Sequence, residues 1–73
     1  MKIAIIGLGL VGLSLTSVLA SKGFSVVGID VDKEKCRNIS NGCIPFFEPN
    51  LEKTLKKGLK NKLQIESDIS VVQ

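Results

Sequence analysis

The chain has 73 residues, 44% of them apolar and 23% charged, which places it among globular rather than disordered sequences. A domain of this size buries only ~60% of its unfolded surface, so an independent fold is expected to be marginal. Two cysteines seven residues apart and no histidine give neither a disulfide framework nor a zinc spacing, and no metal site is expected. No segment reaches the ~18 apolar residues of a membrane span, and a soluble, cytoplasmic chain is expected. The net charge of +3 gathers in Lys53, Lys56, Lys57, Lys60 and Lys62. No aromatic residue interleaves them, so they read as a solvated face and not as a nucleic-acid platform.

The first element is the run Lys2-Ile3-Ala4-Ile5-Ile6, short and continuous, as in a strand buried on both faces of a parallel sheet. A helix follows from Leu10 to about Lys22. Val11, Leu15 and Leu19 recur at steps of four, with Val18 beside them, and this side is expected to face inward. Gly23 stops the helix. Ser25 to Asp30 reads as a second strand. Asp32 is a good N-cap for a helix from Lys33 to about Ser40, with Cys36 and Ile39 inward and Gly42 closing it.

Cys43 to Pro49, with two prolines and two phenylalanines, is expected to be an ordered loop. Pro49 or Asn50 starts a further helix whose Leu51, Leu55 and Leu59 fall on one side, weakened near its end by Gly58. Leu63 to Glu66 alternates apolar and polar residues as a third strand. Asp68 is placed to cap a following helix. The order β-α-β-α-α-β implies an α/β fold: a partial Rossmann sheet of three parallel strands, order 3-2-1, with flanking helices.

Gly7-Leu8-Gly9-Leu10-Val11-Gly12 fits G-x-G-x-x-G. The pattern alone is weak. Here it leaves a predicted strand, opens a predicted helix, and is followed by an acid 18 residues after Gly12, which is the context a dinucleotide site requires. Gly7 is expected to allow a sharp turn where a Cβ would clash. Gly9 lets the backbone approach a pyrophosphate, and Gly12 lets the helix pack closely on the strands. The amides of Leu10 and Val11 then sit at the positive end of a helix dipole. The Asp30 carboxylate is expected to accept both hydroxyls of the adenine ribose and to repel a 2′-phosphate, favouring NAD over NADP. Lys33, Lys35 and Arg37 temper that preference. A FAD-binding unit shares the same fingerprint.

Three stretches carry a more specific likeness. Lys2 to Leu13, Val27-Gly28-Ile29-Asp30-Val31-Asp32, and Asn41-Gly42-Cys43-Ile44-Pro45-Phe46-Phe47-Glu48-Pro49-Asn50-Leu51 together resemble the UDP-glucose/GDP-mannose dehydrogenase family. The third matches that family's G-x-x-P-x-x-E-P-x-L stretch, which a generic dinucleotide fold has no reason to carry. Leu10 stands where the family usually has Tyr, and Asn50 where it usually has Gly. The resemblance implies a nucleotide-sugar 6-dehydrogenase that oxidises the C6 hydroxyl of UDP-glucose, UDP-N-acetylmannosamine or GDP-mannose to a carboxylate with two NAD+.

The resemblance also implies that Gly7, Gly9, Leu10, Val11 and Gly12 hold the pyrophosphate, and that Asp30 holds the adenine ribose with Lys35 beside it. It places no catalytic residue within these 73 positions. Neither Cys36 nor Cys43 matches the family's nucleophile, and Cys36 is expected to be a small apolar filler. Glu48 reads as a helix-start residue rather than a base. Residues 1–73 are therefore expected to be the incomplete N-terminal part of a NAD-binding domain, with the first strand at an open edge where self-association is possible. Three other readings stay open: a hydroxyacid or 3-hydroxyacyl-CoA dehydrogenase, a non-catalytic NAD-sensing module, and a basic nucleic-acid binder.

Overall fold

A computed structural model describes residues 2–45 and 48–68. The elements run β1 (Lys2–Ile6), α1 (Leu10–Ser21), β2 (Ser25–Ile29), α2 (Lys33–Ser40), α3 (Pro49–Leu59) and β3 (Leu63–Glu66). The strands form one parallel sheet in the order β1-β2-β3, with β2 in the middle, as the alternation of elements predicts. Phe46 and Phe47, and the helix expected after Asp68, lie outside the described residues.

The register explains which side chains meet the helices. Ile3 pairs with Val26, which pairs with Leu63. Ile5 pairs with Gly28, which pairs with Ile65. Paired residues in a parallel ladder point to the same face, so these two rows form one surface. They pack with Leu8 and Leu13, Ala20 of α1, Ile39 of α2, and Leu51 and Leu55 of α3. A Cβ at Gly28 would stand 3.0 Å from Leu8 and 3.3 Å from Thr16, so the glycine makes room for the loop residue above the sheet. Central β2 is buried from Val26 to Ile29, whereas β1 alternates exposed and half-buried residues because it pairs, among the described residues, with β2 alone.

The local signals act as expected at most helix ends. Gly23 takes φ +100° and its N–H donates to Ala20 O, closing α1. Asp32 caps α2 by accepting the Lys35 N–H at 3.0 Å. Gly42 at φ +84° ends that helix, and Pro49 opens α3. Asp30 lies just past β2 rather than ending it, although its N–H still donates to Glu66 O at 3.1 Å.

The inward side of α1 differs from the expected one. Leu13, Thr16, Ser17 and Ala20 are buried, while Val11 is 81%, Leu15 49% and Val18 42% exposed; of the expected side, Leu19 packs against the core. The helix is apolar on nearly every side, so periodicity does not choose a face. Close packing chooses it instead. A Cβ at Gly58 of α3 would stand 2.9 Å from the Ala20 Cβ, an approach that only small residues permit. Gly58, a weak helix former, thus lets α3 approach Ala20 of α1 closely. On this inward face Thr16 packs toward Gly28 of the sheet and Ser17 lies beside Gly58, and among the described residues neither buried hydroxyl has a hydrogen-bond partner.

Candidate cofactor site

The site lies at the carboxyl ends of the strands, where parallel sheets gather their loops. Gly7 leaves β1 at φ +93°, a conformation that side chains disfavour, and its N–H donates to Ile29 O at 2.7 Å. A Cβ there would meet nothing within 4 Å, so the glycine answers to backbone conformation and not to the clash expected from sequence. Leu8 then drops into the core, fully buried.

Gly9 caps α1 in an extended conformation, and the Leu13 N–H donates to its carbonyl at 2.9 Å. Among the described residues no side chain caps this helix start, and no acid lies in its first turn. The first-turn amides of Leu10, Val11 and Gly12 have no intrahelical acceptor by geometry. Space for a Cβ at Gly9 is open to 4 Å, whereas a Cβ at Gly12 would run into the Gly7 carbonyl oxygen. The loop is thus closed on the Gly12 side and open on the Gly9 side, as a cradle for an anion must be.

Asp30 completes the constellation. Its Oδ2 accepts the Leu8 N–H at 2.9 Å and lies 3.4 Å from Lys35 Nζ; its Oδ1 accepts the Asp32 N–H at 3.0 Å. The N–H groups of Asp32 and Leu8 hold the carboxyl below the ordinary aspartate range. Burial opposes them and Lys35 adds to them. The side chain, 12% exposed, is therefore a fixed anion facing a cleft of about 480 Å³. Ile6, Gly7, Ile29, Asp30, Val31, Ser67 and Asp68 line that cleft. Sequence reasoning did not place Val31, Ser67 or Asp68 in this cleft; it gave Asp68 only a helix-capping role. The available signal was position: Val31 follows the end of β2 and Ser67 that of β3, where a parallel sheet places its ligand.

Cys36 is buried as expected but is more than a filler. Its thiol reaches the carbonyl oxygens of Asp30 at 3.3 Å and Glu66 at 3.4 Å, joining α2 to the ends of two strands. Burial pushes its pKa up, so it stays protonated. Cys43 is exposed. Glu48 stands at the start of α3, in a groove shared with Leu10, Ser14 and Val18 of α1.

The fit to a dinucleotide is matched by comparison with known proteins. The model of the UDP-glucose/GDP-mannose dehydrogenase family, NAD binding domain, matches residues 1–73. A GDP-mannose 6-dehydrogenase of Pseudomonas syringae pv. tomato is 46% identical over 59 residues, covering 81% of this chain and 14% of that protein. The UDP-glucose 6-dehydrogenase TuaD of Bacillus subtilis is 42% identical over 69 residues, covering 93% and 15%. The solved structure of a UDP-D-ManNAc dehydrogenase from Pyrococcus horikoshii superposes with a TM-score of 0.92 at 34% identity, covering all of this chain and 18% of that one. The chain thus spans less than a fifth of the length of these relatives. It belongs to the UDP-glucose/GDP-mannose dehydrogenase family, within the NAD-binding domain.

Proposed function

We propose that this chain is the incomplete N-terminal part of a NAD-binding domain, holding the adenosine and pyrophosphate of NAD for a nucleotide-sugar 6-dehydrogenase. The observation that carries the reading is the Asp30 carboxylate, kept charged and fixed between the glycine loop and α2. Gly9, Leu10, Val11 and Gly12 offer backbone to the pyrophosphate, and Gly7 sets the turn that brings them there. NAD, when bound, supplies the hydride acceptor for oxidation of the sugar C6 hydroxyl. The sugar nucleotide is of the class named in the relatives, UDP-glucose, GDP-mannose or UDP-N-acetylmannosamine.

Hydrogen-bond capacity refines the ribose contact. A carboxylate has about four acceptor positions. Asp30 Oδ2 already faces two donors and Oδ1 one. One ribose hydroxyl fits at Oδ1, and Lys35 Nζ, which carries further protons, takes the other. A 2′-phosphate would meet the Asp30 charge directly, so NAD is preferred.

Titration calorimetry tests this with NAD and NADP on the wild-type chain and on Asp30→Ala. NAD should bind more tightly than NADP. Asp30→Ala should weaken NAD by about tenfold or more, the scale of a charge-assisted hydrogen bond, and erase the preference. Equal affinity of the wild type for both dinucleotides would refute the reading.

A further inference from the structure

The Asp30 carboxylate has a partner within the glycine loop itself. Leu8 is fully buried, and its N–H reaches Asp30 Oδ2 across 22 positions of sequence. On one side of Leu8, the Gly7 N–H is fixed to Ile29 O; on the other, Gly9 starts α1. The turn between β1 and α1 is therefore held by two hydrogen bonds, both to acceptors at the end of β2. Leu8, the first x of G-x-G-x-x-G, spends its amide on the protein and not on an anion. A buried N–H deprived of its acceptor is costly enough to move a loop.

We propose that Asp30 is also a positioning residue for the pyrophosphate: through the Leu8 N–H, its carboxylate holds the glycine loop in the shape that aims the Leu10 and Val11 amides at an anion. This rests on the reading that the loop receives NAD. It goes further, because it ties the ribose end of the site to the phosphate end through the protein. Charge alone predicts the opposite sign. Asp30 is an anion close to an anion site, so its removal should strengthen phosphate binding unless the loop loses its shape. Asparagine separates the two effects at the loop, since it removes the charge and keeps one carbonyl oxygen for the Leu8 N–H, while its NH2 replaces Oδ1 and gives up the Asp32 N–H bond on the α2 side.

The test uses the 73-residue chain, ¹⁵N-labelled, titrated with inorganic pyrophosphate while the loop amides are followed by NMR. Asp30→Asn should bind pyrophosphate at least as tightly as the wild type. Asp30→Ala should bind roughly three- to tenfold more weakly than Asp30→Asn, the scale of one hydrogen bond, and its Leu8 amide should exchange faster. An alanine variant that binds as tightly as the asparagine variant overturns the proposal. So does a wild-type chain whose Leu10 and Val11 signals do not move with pyrophosphate.

If Asp30→Ala does not fold, the wild type alone decides. Its Leu8 amide signal must titrate with the Asp30 carboxyl on acidification, and a Leu8 signal that does not follow it sinks the proposal. The titratable neighbours among the described residues are Lys35 and Cys36 of α2, Asp32 at its cap, and Asp68 in the same cleft. The parent reading fails separately: wild-type NAD heat with no asparagine–alanine difference removes only the positioning role. Absent NAD heat with the expected pyrophosphate order removes only the NAD reading.

Discussion

The strand-end site and the inward face of α1 treat buried polar groups in opposite ways. Around Asp30, both carboxylate oxygens are met by N–H donors, the Asp30 N–H finds Glu66 O, and the Cys36 thiol reaches two carbonyls. On the inward face of α1, the Thr16 and Ser17 hydroxyls are fully enclosed with no partner among the described residues. One region is specified by directional bonds, the other by size alone. A ligand site needs fixed charges, whereas two helices need only small side chains where they touch, even at the cost of an unsatisfied hydroxyl.

The largest break in that contrast comes from adding volume where the site itself is close-packed. Gly12→Ala places a Cβ against the Gly7 carbonyl oxygen, a backbone atom that cannot turn aside. We expect a loss of about 3 kcal/mol in chemical denaturation, with NAD binding lost alongside. Wild-type stability and binding in this variant would show that the loop and helix are looser than drawn.

An intermediate effect comes from acid. Asp30 has its pKa depressed by folding, so its contribution is fully present above the unfolded aspartate pKa of about 3.9. Below that value the unfolded chain takes up the proton first, and stability falls until the pH passes the lower folded pKa. Denaturation at a series of pH values should show this decline in the wild type. Asp30→Asn should lack that portion of the slope, and an unchanged slope would mean that other carboxylates carry the acid sensitivity.

The smallest effect, and the one of opposite sign, belongs to the inward face of α1. Thr16→Val keeps the shape and removes the unpartnered hydroxyl, and Ser17→Ala removes the other. Each should stabilise the chain by about 1 kcal/mol, read as a higher thermal midpoint with NAD affinity unchanged. Destabilisation would mean that the hydroxyls have partners after all.

Much of this protein was legible because its signals are local. Asp32, Gly23, Gly42 and Pro49 act within a turn of where they stand, so the helix ends could be read directly. The strands β1 and β3 matched their apolar runs, and Asp30 was expected at the end of β2, beside which it stands. The reading of α1 went astray because an apolar helix offers more than one plausible stripe. The reason for Gly7 was misjudged because a positive φ and a steric clash leave the same letter in the sequence.

The sequence by itself determined the elements, their parallel order and the identity of the glycine loop, since caps, periodicity and turn residues depend on near neighbours. Only the tertiary structure decided three things. The small face of α1 goes inward because Gly58 meets it. Val31, Ser67 and Asp68 share the cleft with Asp30 because β2 and β3 end together. The Leu8 amide belongs to Asp30 because the central strand delivers a carboxylate beneath the loop. Each is a contact between segments distant in the chain, and such contacts exist only once the sheet has formed.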